Sequence, residues 1–296
     1  MNRLETSRGI VLSVIASALF ALMSAYTRLL GPLSGLDIFA WRIVWTIPGA
    51  LLLVAWRGRM PQLKALAGLA LRQPRTALTL VTTAASMGVQ LWLFLWAPLH
   101  GRVLEVSLGY FLLPLSMVLV GRFYYREVLA PMQWFAVGLA ALGVVHELWA
   151  THAFSWPTLV VALGYPPYFV LRRTIRADSL VVFAAEVLLL GPAAAAMIVL
   201  SPSAHAAFDR LALWALWLPG LGALSTVALG SYLKASRLLP MALFGILGYV
   251  EPVLLVVLSV TLLGESLSVA QLATYGPIWL AVVVTGVHSA LILRRS

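Results

Sequence analysis

An all-α integral membrane protein, with ten transmembrane helices in two inverted five-helix repeats, is the fold class that this sequence predicts. Three observations predict it: ten apolar stretches long enough to cross a bilayer, basic residues gathered in alternate connections, and a segment of the first half that recurs in the second. Composition agrees. Hydrophobic residues make up 62% of the 296-residue chain and charged residues 10%, whereas soluble domains are about 25% charged. The mean hydropathy is +0.97, and no soluble core of this size can hide so much apolar surface. Spanning helices need roughly 20 apolar residues, while barrel strands alternate over about ten. The runs here are continuous, which selects helices.

Taken in order, the expected spans are Gly9 to Leu30, Leu36 to Trp56, Thr76 to Pro98, Val103 to Phe123, Pro131 to Trp149, Pro157 to Leu171, Leu180 to Leu200, Leu211 to Lys234, Met241 to Leu263 and Val269 to Leu293. Before the first, Met1 to Arg8 is polar and leads straight into the span without a small-residue cleavage site, the pattern of an uncleaved helix. Between the second and third, Pro61 to Leu71 is basic and apolar, as expected of a stretch that lies on the cytoplasmic membrane surface and anchors the topology. The sixth is short and carries Pro166 and Pro167, which neighbouring helices can accommodate by satisfying the freed backbone groups.

The formal charge of +10 takes its meaning from its distribution. Arg3, Arg8, Arg57, Arg59, Lys64, Arg72, Arg75, Arg122, Arg126, Arg172, Arg173, Arg176, Arg237, Arg294 and Arg295 fall in alternate connections, and the opposite ones hold Arg28, Arg102 and Arg210. This is the positive-inside pattern of ten helices with both termini cytoplasmic. It reports topology and points to no nucleic-acid partner. The chain has no cysteine, which excludes disulfides and thiolate chemistry.

Sliding the chain on itself by 138 residues brings Pro114, Glu127, Gln133 and Gly138 onto Pro252, Glu265, Gln271 and Gly276, and Leu95 and Ala97 onto Leu233 and Ala235. Coincident proline, glutamate and glutamine are informative in so apolar a chain. The halves, residues 1–150 and 151–296, then hold five helices each. Because five is odd, the second half enters the membrane from the opposite side, an architecture in which secondary transporters bind substrate near the midplane. Pro114 and Pro252 fall near mid-span, where kinks can shape a cavity. Ser268 with Gln271, and Pro131 with Gln133, have the spacing of helix starts. Glu127 and Glu265 just precede those starts, so capping and loop anchoring is the reading preferred for all four repeated polar residues.

The same residues carry a family likeness. Ser107 to Pro114, with Trp96-Ala97 before and Arg126-Glu127 and Met132-Gln133-Trp134 after, resembles the RarD-like branch of the EamA group in the drug/metabolite transporter superfamily. Arg42 to Trp45, Glu186 with Pro192, and Tyr249 to Pro252 with Gly264-Glu265 extend the likeness over essentially the whole chain. The resemblance implies a bacterial inner-membrane permease of ten helices in two inverted repeats, with no cofactor. The chain departs from the branch pattern at Trp41, Leu113, Lys234 and Glu251, so a relative's substrate does not transfer to it.

A charge at the bilayer centre costs roughly 2.5 to 3.5 kcal/mol on the insertion scale, so it must be paired, solvated or snorkelling. Glu186 and Glu251 lie too deep for a short carboxylate to reach either surface. Pro252 disturbs the turn before it and frees a carbonyl near Leu247 or Gly248, which makes Glu251 a candidate proton-coupling group. A static ion pair between Glu251 and Lys234 is the alternative, and Lys234 alone can snorkel. Arg42 can clamp an anionic substrate group in a bidentate fork, or pair with Asp37 or Glu105. Gln90, Tyr110 and Tyr249 can line a pathway. His146, His205 and His288 show no metal-ligand spacing and are assigned no chemistry.

These readings converge on a secondary transporter that moves a small metabolite or drug by alternating access, with protons as the candidate coupling ion. An intramembrane lipid-modifying enzyme is the alternative from another class, but no Gly-x-Ser-x-Gly, His-Glu-x-x-His or nucleotide-binding glycine loop supplies its chemistry. A passive channel or structural membrane partner is the third, and it has no need of deep titrating carboxylates.

Overall fold

The computed structural model describes residues 3–31, 33–152, 154–263 and 269–294, and it is all helix, with no strand among those residues. Twelve α-helices run in chain order: α1 Arg3–Tyr26, α2 Gly35–Trp56, α3 Met60–Arg72, α4 Pro74–Leu99, α5 Val103–Phe123, α6 Pro131–Thr151, α7 Trp156–Thr174, α8 Ser179–Leu200, α9 Leu218–Leu238, α10 Met241–Leu247, α11 Val250–Leu263 and α12 Val269–Arg294. Among the described residues seven helical segments are long and apolar enough to cross a membrane, and Met241–Val257 and Gln271–Val287 are shorter apolar ones. The chain is therefore a multi-pass membrane protein, but the expected ten is reached only in part. Arg172 and Arg173 and the paired prolines keep α7 out of the seven, and the last two spans run into residues outside the described set.

The ninth expected span breaks where its proline requires. Pro252 lacks an N–H and its ring crowds the preceding turn, and the helix stops at Leu247 and resumes at Val250. The basic stretch after α2 forms α3, which has Pro61 in its first turn and buries Leu63 and Leu66 while Arg59, Lys64 and Arg72 stay exposed.

The chain divides into two compact units, Met1–Ala21 with Arg102–Pro166 and Lys234–Ser296, and Leu22–Gly101 with Pro167–Leu233. Each draws helices from both halves of the chain. In the first unit α6 packs along α12 and α5 along α10, around a core that includes Leu108, Phe111, Ala136, Ala140, Val144, Ile246, Tyr249, Ile278 and Ala281. Small residues let α6 and α12 approach closely, as membrane helices without a hydrophobic driving force require: a Cβ on Gly143 would lie 2.5 Å from the Thr274 carbonyl oxygen. The Glu127 carboxylate accepts from the backbone N–H groups of Met241 (2.6 Å) and Ala242 (2.8 Å) and so ties down the start of α10. Gln133 Oε1 accepts from Ala130 N at 2.8 Å. Both are the anchoring roles expected of them; Glu265 lies outside the described residues.

In the second unit α2 packs along α8. The two run antiparallel, since Asp37 at the start of α2 accepts from Ser201 Oγ, just past the end of α8, at 2.7 Å. They cross where Gly191 faces Ile47. Pro48 and Pro192, each inside its helix, flank that crossing.

Candidate functional site

Glu186 is the most completely enclosed ionisable group in the second unit, at 0% exposure, and its setting is built by the α7–α8 hairpin. Asp178 caps α8 by accepting from Leu180 N at 2.9 Å, which fixes where the helix begins. Arg172, in the last turn of α7 and 1% exposed, folds back across the hairpin. Its Nε donates to Glu186 Oε2 at 3.1 Å, while Nη1 and Nη2 donate to Ser179 Oγ (3.1 Å) and Ser179 O (2.7 Å). Ser179 Oγ in turn donates to Leu233 O at 2.8 Å. Tyr168 OH donates to Glu186 Oε2 at 3.4 Å, with Met87 Sδ of α4 at 3.8 Å from the same hydroxyl. Glu186 Oε1 is buried and has no hydrogen-bond partner among the described residues. A buried acceptor in that condition marks a site where a donor, such as a proton or a substrate N–H, improves the energy.

Charge pattern alone places Arg172 in a cytoplasmic connection, and the structure moves it inside. The reason is electrostatic. A buried carboxylate is tolerated when a cation and further hydrogen bonds compensate it, and Arg172 is the cation that a short hairpin brings within reach. A sequence signal existed, in that a deep glutamate requires such a partner on an adjoining helix.

Arg42 lies beyond the α2–α8 crossing, toward the Asp37 end of α2, so the structure does not gather it with Glu186 at one point. Its Nε donates to Ser225 Oγ of α9 at 2.9 Å. Neither anticipated carboxylate is left waiting for it. Asp37 accepts from Ser34, Ser201 and Ser203, and Glu105, in the other unit, from Arg102 and Ser155. Around Arg42 the second unit has an aromatic wall, in which Trp214 meets Trp41 at 5.3 Å and Trp45 at 5.4 Å between ring centroids. Gln90, 2% exposed, sits one turn beyond Met87 on α4, so this unit holds Arg42, Gln90 and Glu186.

The first unit holds the other four expected residues. Tyr249, 1% exposed, donates to Phe111 O at 2.8 Å. Tyr110 lies 3.5 Å, oxygen to oxygen, from Tyr165. Lys234 and Glu251 are each half-buried. Among the described residues no group of His, Asp and Glu side chains is arranged to hold a metal ion.

No family model matches the chain. It is 50% identical over 291 residues, covering 98% of it and 97% of the relative, to the chloramphenicol-sensitive protein RarD of Pseudomonas aeruginosa. It is 34% identical to an uncharacterized transporter of Haemophilus influenzae, over 96% of this chain and 95% of that one. Protein RarD of Salmonella typhimurium matches at 29% identity over 96% of both. A solved crystal structure shares the fold with a TM-score of 0.70 at 21% identity, over 95% of this chain and 98% of that one.

Proposed function

The chain belongs to the RarD family of transporters, and from that membership we propose that it is a secondary transporter, not an enzyme, moving a small metabolite or drug across the bacterial inner membrane by alternating access. The observation that carries the mechanism is that residues related by the internal shift touch one another. Tyr249 and Phe111, which are bonded, lie 138 residues apart, the shift that superimposes Pro114 on Pro252. Ala136, Ala140 and Gly143 of α6 fall under the same shift on Thr274, Ile278 and Ala281 of α12, and the two sets pack together. A slightly longer shift carries Ile47 and Pro48 onto Gly191 and Pro192 at the α2–α8 crossing. Contact between equivalent residues is what a local two-fold axis produces, and it supports two inverted repeats over residues 1–150 and 151–296; the basic residues of alternate connections support cytoplasmic termini.

In this reading the repeats exchange the side to which a central site opens. Arg42 receives an anionic substrate group. Gln90, Tyr110 and Tyr249 shape the path. Glu186, whose Oε2 is held by Arg172, offers its second oxygen to a proton or a substrate amine, and Glu251, beside the helix break at Pro252, carries the coupling proton with Lys234 as its neighbouring cation.

Proteoliposome flux with and without an imposed pH gradient tests the proposal. A thermal-shift screen of amino acids, organic acids, amines and antibiotics supplies the substrate for it. Saturable counterflow that persists in Glu251→Gln but ignores the gradient supports coupling at that residue; unchanged gradient dependence removes it. Full transport by Arg42→Met would reduce Arg42 to a structural charge. Termini labelled from opposite sides of the membrane would overturn the inverted repeat.

A further inference from the structure

One cluster of titratable side chains outside these groups bridges two membrane helices. His146 and Glu147 are consecutive near the end of α6, and both reach Thr274 of α12. His146 Nδ1 lies 2.9 Å from Thr274 Oγ1, and Thr274 Oγ1 lies 2.8 Å from Glu147 Oε2. Thr274 is 1% exposed, and the other two are half-buried. All three belong to the first unit.

Hydrogen-bond counting limits what the triad can do. A hydroxyl has one proton to donate, and an ionised carboxylate only accepts. With Glu147 ionised, Thr274 donates to Oε2, so the N–H must be on His146 Nδ1 and the basic lone pair on Nε2. One added proton there makes an imidazolium. The same proton count has a second arrangement, in which Nδ1 passes its proton to Thr274 and Thr274 passes its own to Glu147. That leaves a neutral histidine with Nε2–H beside a neutral glutamic acid. Either way the triad changes from a net negative charge to none.

We propose that His146, Thr274 and Glu147 form a binding site for one exchangeable proton, with His146 Nε2 as its point of entry and the Thr274 hydroxyl as a relay to Glu147. Tyr275, next on α12, is within electrostatic reach of Glu147, and Trp149 stands 6.5 Å from the His146 ring. His152 follows the end of α6. Of the other helices packed on α6, α10 has no ionisable residue. The ionisable groups of α5 are Glu105, held by Arg102 and Ser155, Tyr110 near Tyr165, and Arg122, which donates to Glu127 O.

Histidine-selective 15N NMR of the full chain in nanodiscs tests the site without any transport measurement, so failure of the carrier reading and failure of this one are separable. His146→Gln assigns the signal. In alkaline buffer the native protein should show His146 protonated at Nδ1, and acidification should add the proton at Nε2. Thr274→Val should abolish the fixed tautomer, and Glu147→Gln, whose amide oxygen still accepts from Thr274 but cannot take up a proton, should keep the alkaline Nδ1–H form and alter the response to acid. Thr274→Ser, which keeps the hydroxyl, should retain the native spectrum. An Nε2–H form in the native protein at alkaline pH, or an acid response of His146 indifferent to Glu147→Gln, overturns the proposal.

Discussion

Arg172 and Glu186 form an ion pair at 3.1 Å with side chains 1% and 0% exposed, and it ties α7 to α8 inside one unit. Removing one member of a buried pair strands the other's charge, at a cost of about 3 to 5 kcal/mol, while replacing both by apolar groups is far cheaper. Arg172→Met should therefore lower thermal stability in detergent sharply, and the double variant Arg172→Met/Glu186→Leu should recover most of it. A double variant no more stable than the single one would show that the hairpin depends on the Ser179 contacts and not on the pair.

Much of the fold was legible in the sequence because it follows from local physics. The spans come from apolar run length, and the break between α10 and α11 from the chemistry of Pro252. Glu127 and Gln133 were recognisable as anchors from their positions just before and just inside a helix start. What could not be read was partner choice across helices. Arg172 looks like any loop arginine until the hairpin closes, Arg42 reaches Ser225 of α9, and His146 meets Thr274 more than a hundred residues away. None of these has a sequence period, because tertiary packing alone decides them.

Glu127 holds α10 through two charge-assisted hydrogen bonds to otherwise unpaired N–H groups of its first turn. Loss of a capping side chain costs about 0.5 to 2 kcal/mol. Glu127→Ala should destabilise the protein by that order, read as a lower melting temperature in detergent, and Glu127→Gln should recover only one of the two bonds, because its amide oxygen still accepts while its NH2 faces the second N–H. Equal losses in the two variants would mean that the charge carries the anchor.

Gly143 and Gly138 make opposite predictions on one helix. A methyl at Gly143 would sit 2.5 Å from the Thr274 carbonyl and 2.9 Å from Ile278 Cγ1, whereas nothing lies within 4 Å of a methyl at Gly138. Overpacking of this kind costs about 1 to 3 kcal/mol, while glycine to alanine at an open helical position gains up to about 1 kcal/mol. Gly143→Ala should lower the unfolding temperature and Gly138→Ala should hold or raise it. The reverse order would contradict the α6–α12 packing.

Tyr249 and Phe111 connect the two proline-disturbed turns. Tyr249 lies in the turn before Pro252, and the carbonyl that it donates to belongs to the turn before Pro114, where the helical ladder is already weakened. Removing the hydroxyl costs that carbonyl its donor inside a dry core, about 1 to 3 kcal/mol. Tyr249→Phe should therefore lose stability by that amount although its ring still fills the same space. Pro114→Ala in the Tyr249→Phe background separates the two causes. The alanine N–H serves Tyr110 O, four residues back, and leaves Phe111 O without the lost hydroxyl donor, so it should not return the stability lost with that hydroxyl, and any stability that it adds belongs to the ladder itself. A Tyr249→Phe protein as stable as the native one would show that the hydroxyl does not support the broken turn.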